Sequence, residues 1–263
     1  MIKVTTSRKH VIYSYLSTFF GILSNLIFLQ YSSTTFYGKY GLLKNILGLL
    51  DYSHLGIRYG LDFEKNINQK ASLLALSNSI SLIVSILLIS IFSHILSFTL
   101  IESTFLISSV FLIFFHNFRI SKRVSEFENF VNLTFVLNIL LAIIPISIIF
   151  LIDELVLIPL SCLNFALLLY LFTRKSLKFS FEKTFLKKMI IKYKNLFLIQ
   201  VLSVIVILSD RTMISFFLEP KLADYTFASF IATVALVLPG SLWEAKLKDV
   251  VNSSYDKIKK LLK

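Results

Sequence analysis

The chain has 263 residues, 56% of them hydrophobic and only 16% charged, with 26 phenylalanines; an ordinary soluble domain carries about 25% charge. This excludes a soluble globular domain and indicates an all-α membrane protein. A net charge of +12 and a pI near 9.7 would suit a nucleic-acid partner only if a soluble domain existed to carry it, so the basic residues read as topology determinants instead.

The single cysteine, Cys162, excludes an internal disulfide or a thiolate metal site, and in its apolar run it is expected to be a small buried hydrophobe. At the N-terminus, Lys3, Arg8 and Lys9 precede an apolar run over residues 11–31. That run is longer than a signal-peptide core of about 7–15 residues, so it is expected to be a retained first span. A helix crossing the hydrocarbon layer needs about 20 mostly apolar residues. On that basis eight spans are expected, at 11–31, 37–58, 71–92, 101–118, 130–152, 155–172, 195–217 and 223–243. The second is interrupted by Lys44, Asp51 and His54, and the fourth follows an ambiguous turn over 94–99.

Charge tests this placement, because Lys and Arg in short loops concentrate on the cytoplasmic side. With the N-terminus inside, 23 of the 27 basic residues fall in inner segments, while the outer connections 93–100 and 153–154 carry none. Both termini are therefore expected to be cytoplasmic. The longest inner segment, 173–194, sets Phe181, Phe185, Met189 and Ile190 against lysines on the other side, which suits a helix on an anionic membrane surface. The tail 246–263 has a similar character.

A shift of 185 residues lays Ile22-Leu23-Ser24-Asn25 on Ile207-Leu208-Ser209-Asp210, Tyr40 on Tyr225 and Ile46 on Ile231. The polar residue inside a span recurs as Asn25 and Asp210, and span one falls on span seven in the same orientation. This reads as a parallel repeat: a first six-helix repeat in 1–172, a basic linker in 173–194, two helices of a second repeat in 195–245, and the basic tail. A complete second repeat would need further spans, so the chain is expected to be a truncated product or to complete itself by association.

The segment ILSDRTMISFFLEPKLADYTFAS, with Asp210-Arg211 inside a span and Tyr225 after the loop, resembles the corresponding region of polysaccharide flippases of the multidrug/oligosaccharidyl-lipid/polysaccharide exporter superfamily. FYGKYGLLKNILGLLDYSHLGIRYGL looks like that family's first loop and second helix, ending in a Gly-rich turn near Gly56 and Gly60. The resemblance implies transport of an undecaprenyl-diphosphate-linked oligosaccharide, an O-antigen or capsule repeat unit, across a bacterial inner membrane. It implies membrane lipids and that lipid-linked glycan as partners, with a polysaccharide polymerase and glycosyltransferases beside them, no nucleic acid, no cofactor and no enzymatic activity. Family members continue for about four further spans beyond the point this chain reaches.

Lys44, Asp51 and Arg58 recur every seven residues, which places them in a narrow stripe if one helix carries them all. If spans two and seven border a central cavity, as the resemblance implies, Lys44 meets Asp210 at similar depth. Lys44, Arg211 and Arg58 would then line a cationic cavity that receives the lipid diphosphate, with Asp51, Asp210 or Asn25 balancing charge or coupling an ion. The plainer alternatives are an interhelical Lys44–Asp210 ion pair and an Arg58 that only marks the inner surface. His10, His54, His94 and His116 have no ligand spacing that indicates a metal, apart from Asp51 one turn before His54. Competing functions are a cation or multidrug antiporter, whose cavity would be expected to be acidic, a membrane-embedded sugar transferase, or an inactive remnant.

Overall fold

The computed structural model describes residues 6–64, 66–148, 153–179 and 183–192, with scattered positions from 195 to 242. Among them the protein is all-helical, and four helices are long and apolar enough to cross a membrane. These are α1 (Thr6–Tyr31), α4 (Ile67–Leu96), α5 (Leu100–Arg123) and α6 (Phe127–Ile148). The shorter α2 (Thr34–Asp51) and α7 (Leu157–Thr173) complete the bundle, with α3 (Gly60–Phe63) and α8 (Lys183–Lys192) at its basic end. The seventh span, and the repeat built on it, lie almost wholly outside the described residues.

The helices start where side chains can satisfy their free N–H groups. Ser33 caps α2 by accepting from the Phe36 N–H, and Asn66 caps α4 by accepting from Asn68 and Gln69. At α5, the Thr99 hydroxyl accepts from the Glu102 N–H while the Glu102 carboxylate accepts from the Thr99 N–H, a reciprocal capping box. The Asn66 cap starts α4 four residues ahead of the apolar run expected from 71, whereas Thr99 starts α5 at Leu100, one residue ahead of the expected 101. Pro159 falls in the first turn of α7, where no intrahelical N–H is required.

The second span differs from expectation. Helix α2 stops at Asp51, and the chain coils through single 3-10 turns at Tyr52–His54 and Ile57–Tyr59. Leu55 and Gly56 between them both have positive φ, 49° and 80°, a conformation that glycine tolerates and that ends a right-handed helix. The His54 ring locks the reversal by accepting the Gly56 N–H at 2.9 Å on Nδ1. Lys44 and Asp51 therefore share α2, but Arg58 returns to Asp51 from outside it.

Helix α5 is the centre of the bundle and packs on α4, α6 and α7, with α2 also against it. Lipid tails are as apolar as leucine, so helices associate through close packing and polar links rather than through hydrophobic burial. Ser77, Ser81 and Ser85 are fully buried along α4, and their small size lets backbones approach closely. Asn117 of α5 donates to Asn78 of α4 at 2.9 Å, and Asn164 of α7 donates to Ser108 of α5 at 3.1 Å. At the opposite end from the basic segment, the Lys39 ammonium of α2 lies 2.6 Å from the buried Glu102 carboxylate.

Two corrections follow from the packing. Cys162 is exposed on α7 rather than buried. Helix α8 is amphipathic as expected, but its apolar side rests on protein: Met189 is buried against a cluster that includes Ile57, Leu61, Leu73 and Phe130, with Phe185 beside it. The cluster offers a ready apolar surface, so this face need not turn to lipid.

Asn117→Ala removes the donor to Asn78 and is expected to lower stability by about 1 kcal/mol, the scale of interhelical polar links in membranes. Unfolding titrations of Asn117→Ala, Asn78→Ala and the double variant in detergent micelles measure the coupling. Additive losses would show that the two side chains do not act as a pair.

Candidate functional site

Helix α1 is apolar overall but carries a polar line at Ser14, Ser17, Thr18, Gly21, Ser24 and Asn25. Steps of three and four place these residues on one face. Ile12, Tyr15, Leu16, Phe19, Leu23 and Leu26 are exposed on other sides of the helix, where lipid can solvate them. The sense is opposite to that of a surface helix in water: the polar side faces in and the apolar side faces out.

The polar line borders a cavity of about 800 Å³, within the usual range for small-molecule sites of roughly 300–1,000 Å³. Helix α1 packs chiefly along α6 and only lightly on α2, which leaves this space open beside α2. From α6, Thr134 and Asn138 line the cavity one turn apart, with Leu141 and Ala142 above them. Tyr59, Asp62, Phe63, Arg123 and His10 line its basic end, and Gly240 and Ser241 also border it. From His10 to Asn25 the lining follows α1 for about 22 Å, most of the hydrocarbon thickness.

Lys44 enters this cavity from α2, about 15 Å along the helix from Thr34. Its ammonium lies 4.6 Å from the centre of the Tyr40 ring, a cation–π contact that steadies the charge without neutralising it. Among the described residues no carboxylate pairs with Lys44. The amide of Asn25 donates to the Gly21 carbonyl of its own helix at 2.8 Å while also lining the cavity.

The other candidates from sequence lie elsewhere. Arg58 and Asp51 are not among the residues lining the cavity. The Arg58 guanidinium binds the Asp51 carboxylate through two parallel bonds of 2.7 and 2.8 Å, the geometry in which an arginine is most specific for carboxylate. His116 Nδ1 lies 2.9 Å from the same carboxylate. Asp51 thus ties the end of α2 to α5 and to the turn carrying Arg58, and Arg58 is buried rather than marking a solvated surface. Asp210 and Arg211 lie outside the described residues, and with them the expected Lys44–Asp210 meeting.

A second ion pair belongs to the cavity itself. Arg123, at the end of α5, holds Asp62 through Nε at 3.1 Å and through a terminal nitrogen to the other carboxylate oxygen. Both residues line the basic end, so their charges cancel there and, among the described residues, leave Lys44 as the cation without a paired carboxylate deeper in. Asp62 and Arg123 are 61 positions apart and Asp51 and His116 are 65 apart, separations that no local pattern discloses. The polar line on α1 was open to periodicity, since serines and a threonine recur at helical spacing through an otherwise apolar span.

A wide, polar, partly cationic space inside an apolar bundle can hold a ligand with an anionic group and hydrogen-bonding hydroxyls, while serine, threonine and asparagine side chains replace its water. No protein-family model, no curated protein and no solved structure matches the chain.

Two tests follow. In a Cys162→Ser background, Lys44→Cys is expected to react with a charged, water-borne thiol reagent, while Ile86→Cys, exposed on the outer side of α4, is not; mass spectrometry of the labelled protein reads both, and an inert Lys44→Cys would mean that the cavity is dry. Asp51→Ala is expected to cost about 3 kcal/mol by leaving Arg58 buried and unpaired. The Asp51→Ala/Arg58→Ala double variant should recover part of that in detergent unfolding, and no recovery would show that Arg58 has another counter-charge.

Proposed function

We propose that the chain is a transporter of the flippase type, which passes a lipid-linked oligosaccharide carrying a diphosphate between the leaflets of a bacterial inner membrane. The observation that carries this reading is the cavity of about 800 Å³ between α1, α2 and α6, with Lys44 facing into it at mid-depth. A lysine ammonium is a point charge suited to phosphate, and the hydroxyl and amide groups of α1 and α6 offer the donors and acceptors that a sugar requires. The exposed apolar sides of the helices leave room for a polyprenyl tail to stay in lipid while the head group crosses.

In this reading eight spans place both termini in the cytoplasm, consistent with the concentration of Lys and Arg at one end of the bundle. The cavity then reaches the cytoplasmic side, where such a substrate is assembled. A cation antiporter fits less well, because an unbalanced lysine at mid-depth repels its substrate.

The test uses the purified chain in liposomes with a fluorescent polyprenyl-diphosphate disaccharide, scored by the fraction reached by an impermeant quencher over time. Protein-dependent translocation is expected, and Lys44→Ala should slow it about 10-fold or more, the loss of one charge-assisted bond. No translocation above protein-free liposomes, or a rate indifferent to Lys44→Ala, rejects the reading.

A further inference from the structure

A second cavity, of about 560 Å³, lies at the basic end between α4, α5 and the segment after α7. Its lining contains both acidic and basic side chains, and the acidic ones are already matched. Asp62 is held by Arg123, Glu64 by Lys192 at 3.1 Å, and Glu126 by Lys122 at 2.5 Å. Bonds from Lys122 and from Asn129 hold the Glu126 carboxyl below the ordinary carboxylate range, so it stays ionised and paired.

This leaves Lys70, Lys175 and Lys178, which line the same cavity and have no carboxylate partner among the described residues. Lys70 donates to the Ser125 hydroxyl at 3.3 Å and makes no direct ion pair, although the charges of Asp62 and Glu126 act on it across the cavity. The two others sit on a segment that the bundle holds in place. Lys175 takes a left-handed φ of 50° as the chain leaves α7, and the N–H groups of Arg174, Lys175 and Ser176 return to the last carbonyls of that helix. The Lys178 carbonyl accepts from Asn78, itself bonded to Asn117, while the Phe179 ring packs edge-on against Phe114 at 5.3 Å. The lysine backbones are therefore fixed at the rim before any ligand arrives, which lowers the ordering cost of binding.

We propose that this cavity is a phosphate site, in which Lys70, Lys175 and Lys178 together hold the phosphate of an anionic group at the membrane boundary. A phospholipid headgroup and a free phosphate share the chemistry. Basic pockets between membrane helices recognise headgroups in this way, and the position at the end of α4, α5 and α7 lies where headgroups are found. The site is separate from the transport reading: Lys44 takes no part in it, and only Asp62, already paired, borders both cavities.

The purified full chain in a non-ionic detergent is titrated with short-chain phosphatidylglycerol, short-chain phosphatidylcholine and inorganic phosphate, and binding is read as the shift in melting temperature and by native mass spectrometry. Phosphatidylglycerol is expected to bind and phosphatidylcholine not. Lys70→Gln/Lys175→Gln/Lys178→Gln should weaken binding on the order of 100-fold, at about fivefold per lysine. Lys183→Gln/Lys187→Gln/Lys188→Gln on α8 removes the same charge away from the cavity and should bind as the parent does. Binding of inorganic phosphate at least as tight as that of phosphatidylglycerol, with the same lysine dependence, keeps the site and makes its ligand a soluble phosphate. Equal binding by the cavity variant, or equal loss in the α8 variant, overturns the proposal. If the triple variant does not fold, Lys175→Gln and Lys178→Gln are scored singly.

Discussion

Lipid offers no hydrogen bonds, so every polar group within the bundle must find its partner in protein or in trapped water. Helix α5 meets much of that demand. Glu102 takes Lys39 from α2, Ser108 takes Asn164 from α7, His116 meets Asp51 at the end of α2, Asn117 reaches Asn78 on α4, and Arg123 holds Asp62 of α3. These links are spaced along the whole of α5, so it is pinned at both ends and in the middle. The packing of α2, α4 and α7 follows from it, and so does the reversal at Leu55-Gly56 that brings Arg58 back to Asp51.

Helix α1 stands apart from this arrangement. It has only Ser24, His10 and Phe28 buried, and it rests mainly on α6. Among the described residues its polar side has no matching polar helix pressed against it, and dry contact there would strand several hydroxyls. Their bonds to carbonyls one turn back on α1, as at Ser14, Ser17 and Thr18, satisfy the donors but leave acceptor capacity facing the cavity. A cavity with such walls is stable when filled by water or by a ligand rich in hydroxyls. Among the four membrane-length helices described, α1 has the smallest share of its length buried, in keeping with the cavity along its polar side.

Much of the fold was legible in sequence because hydrophobic length is a strong signal in membranes. The long apolar helices α1, α4, α5 and α6 appear where apolar runs predicted spans, with the start of α4 moved forward by its cap at Asn66. The end of α2 was less accessible. A seven-residue spacing of Lys44, Asp51 and Arg58 implies one face only while the helix lasts, and a left-handed Leu55 beside Gly56 breaks it. Of the candidate site, Lys44 and Asn25 were identified from their polarity inside apolar runs, and both line the cavity. The Asp62–Arg123 and Asp51–His116 partnerships were not, since they depend on how α5 is placed against chain more than 60 positions away.

Total charge could not separate the cations that hold the bundle together from those left over. Arg58 and Arg123 each meet a carboxylate through two nitrogens, a planar match that arginine makes well and lysine cannot. Among the described residues, the cations at the two cavities that make no ion pair with a carboxylate are lysines: Lys44 in one, and Lys70, Lys175 and Lys178 in the other. The division has a physical basis. A buried structural charge needs fixed, paired geometry to offset its desolvation, whereas a charge meant for an exchangeable anion must be flexible and hydrated until the anion arrives. The guanidinium groups of Arg58 and Arg123 are therefore committed to carboxylates of the bundle, and at the two cavities the ammonium groups of Lys44, Lys175 and Lys178 are the ones still presented among the described residues.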